Sequence, residues 1–418
     1  TAANFHINKS VSTYFYYFRK IIIFFVKLMK RTLFLLLLVC PLMIKSQIKI
    51  FSDFENGNTE IISVDDTNNR VFFKPALINT QNTTRCWFYF GITNFDTTKI
   101  LQIEEQFTKY YIAPNYPVFS FDNKNWKRLK VDSMVGNKKY YSGKFNADTL
   151  WFATGYPYTY SKMMKFVDSV SANKYIDTST LVYSEKGLRV PILEIKKNKS
   201  KIKNMIWIIG RQHAFETTLN IVIEGMIEYF VSDEYYARKL REKTVVYIVP
   251  MMDVDNVYSG ASGRMQMPVD FNRDWNLNPH WNAVKSVQHK IKETNKLYNY
   301  RIFLDVHSTY PGTSKPLFGL FNEYKIEQAE YFRLKKYLDI YKKTAGFNLV
   351  EIKGNTSNFF ADAYSMGIRD KSVAVSDFST TFECDWNINN NGNDLTRKEL
   401  KRNGYLIAEA LCVYLAKN

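Results

Sequence analysis

The sequence predicts an α/β domain over residues 163–418, a mixed and mostly parallel sheet flanked by helices, preceded by an all-β sandwich over 47–162. Three observations predict it. Short aromatic and β-branched runs, broken by Asn, Asp, Gly and Pro, fill the first region. Continuous apolar runs of strand length alternate with amphipathic stretches in the second. A third segment, 1–46, is set apart by charge, with seven Lys or Arg and no Asp or Glu.

That segment reads as an export signal. Met29-Lys30-Arg31 begins a short basic stretch, Thr32 to Val39 is apolar, and Ser46 supplies a small residue before a cut. The apolar run is short for a membrane span, which needs roughly 20 residues. A retained N-terminal anchor is the alternative, and a lipoprotein attachment at Cys40 is disfavoured by Val39 before it. Residues 1–28 then stand upstream of the start and read as translated upstream sequence rather than protein. The expected location is secreted or periplasmic, with a signal peptide at about 29–46 and membrane contact only through it.

Composition excludes several classes. At 418 residues and 46% hydrophobic content, the chain can bury a sizeable core and is not a disordered protein. Of the net charge of +17, seven units lie in 1–46, leaving +10 beyond. No nucleic-acid-type basic run remains: Lys196 to Lys203 lies between two apolar segments and reads as a solvated hairpin or loop. Cys86, Cys384 and Cys412 allow at most one disulfide, so bridges do not organise the fold.

In the sandwich, Arg70 to Lys74, Cys86 to Phe90 and Val118 to Phe121 are the clearest strands, and the region contains no histidine. In the second region, Ile206 to Ile209, Val245 to Val249, Ile302 to Val306 and Val373 to Val375 are predicted strands. Helices are expected at 217–230, 281–297, 326–343 and 396–416. In such sheets ligands gather at the carboxyl ends of the strands.

Those ends carry the chemistry. The first strand runs into Gly210-Arg211-Gln212-His213-Ala214-Phe215-Glu216, and the third into Asp305-Val306-His307-Ser308. His213 and Glu216 stand three apart at a helix start, so both can face one point. Two histidines and a glutamate with an open fourth position form a catalytic zinc set. The second strand leads to Arg264 and to Asp270-Phe271-Asn272-Arg273. Guanidinium pairs bidentately with carboxylate, so this loop suits an anionic substrate group, a surface ion-pair loop being the alternative. After the fourth strand come Asp377 and Glu383, either of which can serve as a base.

The order HxxE, Asn-Arg, His, Thr-x-Glu resembles the M14 family of zinc carboxypeptidases. Pro117 to Asp122, Trp126, Trp151 to Ala153 and Tyr156 to Ser161 resemble the β-sandwich of its cytosolic-carboxypeptidase-like branch. The resemblance runs from about residue 50 to the end. It implies that His213, Glu216 and His307 bind Zn2+. It implies that Asn272 and Arg273 hold a substrate C-terminal carboxylate, that Arg264 stabilises the oxyanion, and that Glu383 is the general base acting on zinc-activated water. Ala214-Phe215 departs from the family's Pro-Gly, and Asp253-Val254-Asp255-Asn256 from its Asn-Pro-Asp-Gly. Tyr364 is the candidate for the family's mobile tyrosine. Residues 355–360 lack the arginine of glutamate-specific members, and the specificity wall is expected among 355–364.

The implied function is hydrolysis of the C-terminal peptide bond of peptides bearing a free terminal carboxylate, by a monomer without nucleic-acid partners. A zinc amidohydrolase or deacylase of N-acyl amino acids is a rival within the same geometry, though such enzymes usually lack the sandwich. A catalytically silent peptide- or glycan-binding protein is the rival of another class.

Overall fold

A computed structural model of the chain describes residues 9–39, 47–78, 85–107, 114–309, 318–321, 328–346, 352–353, 375–384, 386 and 394–418. Two compact units result, Thr1–Gln47 and Ile48–Asn418. In the first, helix α1 (Lys9–Val39) runs through the expected start at Met29. The end of the expected signal, 40–46, lies outside the described residues. No described helix is long and apolar enough to cross a membrane.

The second unit begins with ten strands: β1 (Lys49–Phe51), β2 (Glu60–Asp65), β3 (Arg70–Lys74), β4 (Tyr89–Thr93), β5 (Leu101–Gln106), β6 (Val118–Ser120), β7 (Trp126–Arg128), β8 (Ser133–Val135), β9 (Lys138–Gly143) and β10 (Thr149–Ala153). They form two sheets, ordered β1-β4-β10-β6-β7 and β2-β3-β5-β9-β8. Alternation along β3 explains the inward face: Val71 and Phe73 are buried while Arg70, Phe72 and Lys74 are not. Phe73, Phe88, Phe90 and Phe152 meet in the core at ring separations of 4.8–6.3 Å. The β3–β5 pair is parallel, which nothing in the local sequence announces.

Helix α2 (Tyr160–Val170) leads into the second layer system, starting with the hairpin β11 (Ile176–Tyr183) and β12 (Arg189–Ile195). The lysine-rich segment after it is a connection holding one short 3-10 turn, Lys199–Lys201, as expected of a solvated loop. Then come β13 (Asn204–Gly210), α3 (Thr218–Val231), α4 (Tyr235–Lys243), β14 (Thr244–Val249), α5 (Val254–Ser259), α6 (Asn282–Asn295), β15 (Asn299–Ser308), β16 (Phe318–Phe321), α7 (Gln328–Ala345), β17 (Ile352–Lys353), β18 (Phe378–Cys384) and α8 (Arg397–Lys417). The described strands order as β11-β12-β14-β13-β15-β18-β16-β17. The central four, β14, β13, β15 and β18, are mutually parallel, with antiparallel strands outside them.

β14, β13, β15 and β18 are almost wholly buried, which is why most read as unbroken apolar runs. The fourth parallel strand differs from expectation. It is Phe378–Cys384, so Glu383 lies within the strand; of the expected Val373 to Val375, residues 373 and 374 lie outside the described residues. Ser379, Thr380 and Thr381 are buried there, and their polarity hides a central strand from a search for apolar runs.

Helix α3 is buried on nearly every side and crosses α8 closely. A Cβ on Gly404 would lie 1.8 Å from the Val222 carbonyl oxygen, and one on Gly225 would lie 1.8 Å from that of Lys401. Glycine is therefore required on both helices. Cys86, Cys384 and Cys412 are buried and form no disulfide.

Topology fixes where a ligand can bind. From β13 the chain passes through α3 and α4 to β14 on one side, then crosses to β15 on the other. The crevice beyond the carboxyl ends of β13 and β15 is therefore a switch point, where strand ends lie open between diverging connections.

Candidate metal centre

At the end of β13 the chain turns sharply. Arg211 adopts a positive φ of 59°, unusual for a residue with a side chain. Its buried guanidinium holds the turn, donating from Nε to the Ala214 carbonyl at 2.8 Å and from Nη1 to the Tyr158 carbonyl at 3.3 Å and to Asn220 of α3. The turn thus aims His213 and Glu216 into the crevice. Phe215 stacks on His213 at 20° and on Trp386 at 11°, with centroids 6.3 and 6.1 Å apart. The Ala214-Phe215 departure therefore packs an aromatic ring against the His213 imidazole.

From β15 comes His307. Single donor atoms of His213, Glu216 and His307 lie within 4.8 Å of one another, and all three residues are buried. Each imidazole turns Nδ1 to Glu216: His213 Nδ1 stands 2.7 Å from Oε1 and His307 Nδ1 3.0 Å from Oε2. Each turns Nε2 to another carboxylate, His213 to Asp270 at 3.0 Å and His307 to Asp305 at 2.9 Å. A carboxylate behind a metal-binding imidazole fixes the ring and raises its basicity. Two imidazole nitrogens, one carboxylate and an outer carboxylate behind each ring fit zinc, three protein ligands being the number a catalytic zinc site uses.

Charge balance agrees. Burial alone would lower both imidazoles, but Asp270 and Glu216 raise His213, and Asp305 with Glu216 raises His307 well above the ordinary range. Burial would raise Glu216, yet His307 and His213 more than offset it and hold it down at about 2. The site is a nest of acceptors that attracts positive charge, as protons or as a metal ion.

Glu383 pairs in register with His307 across the parallel β15–β18 ladder. Its residue is half-buried, but Oε2 is shut off from water and has no hydrogen-bond partner among the described residues. Burial pushes its carboxyl up to about 7; His307 opposes this and the Glu216 charge adds to it. Asp377, the rival base, stands at the opposite end of β18. It accepts two 2.7 Å bonds from Arg301 Nε and Nη2 and is removed from the site.

Arg264 lies on a loop fastened to the metal-ligand turn, with Phe215 N–H donating to the Ser262 carbonyl at 3.0 Å. Gly263 makes this approach possible: its φ is +74°, and a Cβ would lie 2.6 Å from the Ala214 nitrogen. The Arg264 charge reaches Glu383 and opposes its rise. Asn272 and Arg273 sit half-buried on a 3-10 turn, Phe271–Arg273, capped by Asp270. One carboxylate thus both caps the turn and supports His213. His289 is exposed beside Glu293, and His280 is exposed; neither joins the centre. Tyr364 and 355–364 lie outside the described residues.

Sequence reasoning missed Gln212, Asp270 and Asp305 as supports. Asp305 carried a signal, standing two residues before His307 on a strand and so on the same face.

The chain matches two family models, "Cytosolic carboxypeptidase N-terminal domain" over residues 50–154 and "Zinc carboxypeptidase" over 163–301. The chain belongs to the M14 zinc carboxypeptidase family. The N-terminal match places it in the cytosolic-carboxypeptidase-like branch, and the family's metal is zinc, which the donor set fits. The segment matched in this zinc carboxypeptidase holds His213, Glu216, Arg264, Asn272 and Arg273, while His307 and Glu383 lie beyond it. Among curated relatives, cytosolic carboxypeptidase 6 of Caenorhabditis elegans is 26% identical over 309 residues, 68% of this chain and 67% of that protein. Its namesake in Mus musculus is 29% identical over 292 residues, 61% of this chain and 52% of that protein. The chain therefore spans between about half and two thirds of these relatives. Two solved metallo-carboxypeptidases share the fold, both with a TM-score of 0.77. The Burkholderia cenocepacia protein is 17% identical, covering 88% of this chain and 99% of its own. The Pseudomonas aeruginosa protein is 18% identical, covering 88% and 99%.

These relatives also correct one expectation. Export was inferred from 1–46, but the matched proteins are named cytosolic carboxypeptidases, and the secreted or periplasmic location and its signal peptide are withdrawn.

Proposed function

We propose that the chain removes C-terminal residues from peptides that carry a free terminal carboxylate. The observation that supports this most is the meeting of His213, Glu216 and His307 at the sheet's switch point, with Glu383 paired beside His307. In this reading those three residues hold Zn2+. Zinc, when bound, supplies Lewis-acid polarisation and lowers the pKa of water from 15.7 to about 7.

The protein's own groups supply the rest. Glu383 accepts a proton from the attacking water and returns it to the departing amine; a base poised near the working pH suits both transfers. Arg264 donates to the oxygen on which negative charge develops. Asn272 and Arg273 bind the terminal carboxylate and set which bond is cut. A blocked terminus offers Asn272 and Arg273 no anionic group and forfeits the charged hydrogen bonds they would make to it, so exclusion of amidated peptides follows.

Zinc analysis with paired peptides, free and C-terminally amidated, tests the proposal. Stoichiometric zinc and cleavage of free peptides only is the expected result. Equal cleavage of both forms would overturn it.

A further inference from the structure

We infer that Gln212 is a positioning residue that links His307 to Asn272, with the Trp275 indole setting its orientation; this rests on the zinc carboxypeptidase reading above. Gln212 is fully buried and stands immediately before His213. Its Oε1 lies 2.8 Å from Trp275 Nε1, and an indole N–H can only donate. That contact decides which way the amide faces. Nε2 must then point away from Trp275, where it lies 2.8 Å from Asp305 Oδ2 and 3.3 Å from Asn272 Oδ1. A flipped amide would set its oxygen against two acceptors and its NH2 against the indole donor.

Both ends of this relay reach the site. Asp305 Oδ2 also accepts from His307 Nε2 at 2.9 Å, so Gln212 and the imidazole converge on one oxygen. Asp305 Oδ1 is buried with no hydrogen-bond partner among the described residues. The Gln212 amide therefore helps fix the carboxylate that fixes the His307 ring. On the other side, engagement of Asn272 Oδ1 leaves the Nδ2 end of that amide to donate to an anionic group. A donor-only indole thus sets, through one glutamine, both the orientation of a metal ligand and the donor face of a substrate-binding amide.

Gln212→Met keeps length and approximate volume but loses the contacts to Trp275, Asp305 and Asn272, and Trp275→Phe removes the orienting donor along with part of the ring volume. Zinc affinity by chelator competition, and kcat and KM on a free-carboxylate peptide, are measured for the full chain. Gln212→Met should weaken zinc 10- to 100-fold and raise KM by roughly three- to tenfold. Trp275→Phe should move both in the same direction by about threefold. A residue that served only packing would lower Tm and leave the zinc constant unmoved. Zinc affinity within twofold of wild type in folded Gln212→Met overturns the inference; should that variant not fold, the same result in Trp275→Phe does so. A wild-type protein that binds no zinc overturns both this and the zinc reading, whereas tight wild-type binding with unmoved variants overturns this alone.

Discussion

Replacing Glu383 by Gln separates its burial from its chemistry. In the metal-free protein its carboxyl is pushed from 4.5 up to about 7, chiefly by burial. The folded state then holds a proton that the unfolded state has released, so stability falls as pH rises from 4.5 to 7. At 1.36 kcal/mol per unit, the loss at pH 8 is about 3 kcal/mol. Gln keeps the shape and carries no charge. Metal-free Glu383→Gln should therefore match wild type at pH 4 and exceed it by about 3 kcal/mol at pH 8, in denaturant unfolding with a chelator present. Saturating zinc should shrink the gain, because a nearby cation stabilises the ionised carboxylate. With zinc bound, the variant should keep stoichiometric metal and lose 10²–10⁴ in kcat, the usual share of a general base. A variant that gains no stability between pH 4 and 8 would refute the dry environment assigned to Oε2. Retained turnover would refute the base.

Further outcomes follow from the same site. Because carboxylates hold the His213 and His307 imidazoles above their ordinary range, zinc must displace protons; affinity should fall steadily as pH is lowered, beginning above the range in which a free imidazole titrates, and calorimetry in buffers of different ionisation enthalpy should detect proton release on binding. Arg273→Ala should reduce kcat/KM on free-carboxylate peptides by tenfold to about 150-fold, from the 1.5–3 kcal/mol of a charged hydrogen bond, and should erase preference over amidated peptides. Gly404→Ala should destabilise by about 1–3 kcal/mol in unfolding experiments, opposite in sign to the usual gain for Ala in a helix, because its Cβ would strike the Val222 carbonyl.

The legible parts of the fold and site were those encoded locally. His213 and Glu216 are close in the chain, and a continuous apolar run points to the His307 strand end. Helices α3, α6, α7 and α8 begin and end within about two residues of their expected bounds. Helix α4 escaped because it is short and mostly polar, and β11 because only Ile176 along it is buried. β18 escaped because Ser379, Thr380 and Thr381 interrupt its apolar pattern while buried. Location was misread, since a basic and apolar N-terminal stretch resembles an export signal whatever its role.

By itself, the sequence determined the two architectures and the candidate ligands, because strand alternation, buried runs and an i,i+3 pair are short-range consequences of backbone geometry. Tertiary structure decided what those ligands lean on. Asp270 reaches His213 across 57 positions, and Gln212 reaches Asp305 across 93. Strand order alone brings them together, as the chain leaves β13 for β14 and crosses back to β15. It also sets Glu383 beside His307, in a register that no local pattern contains.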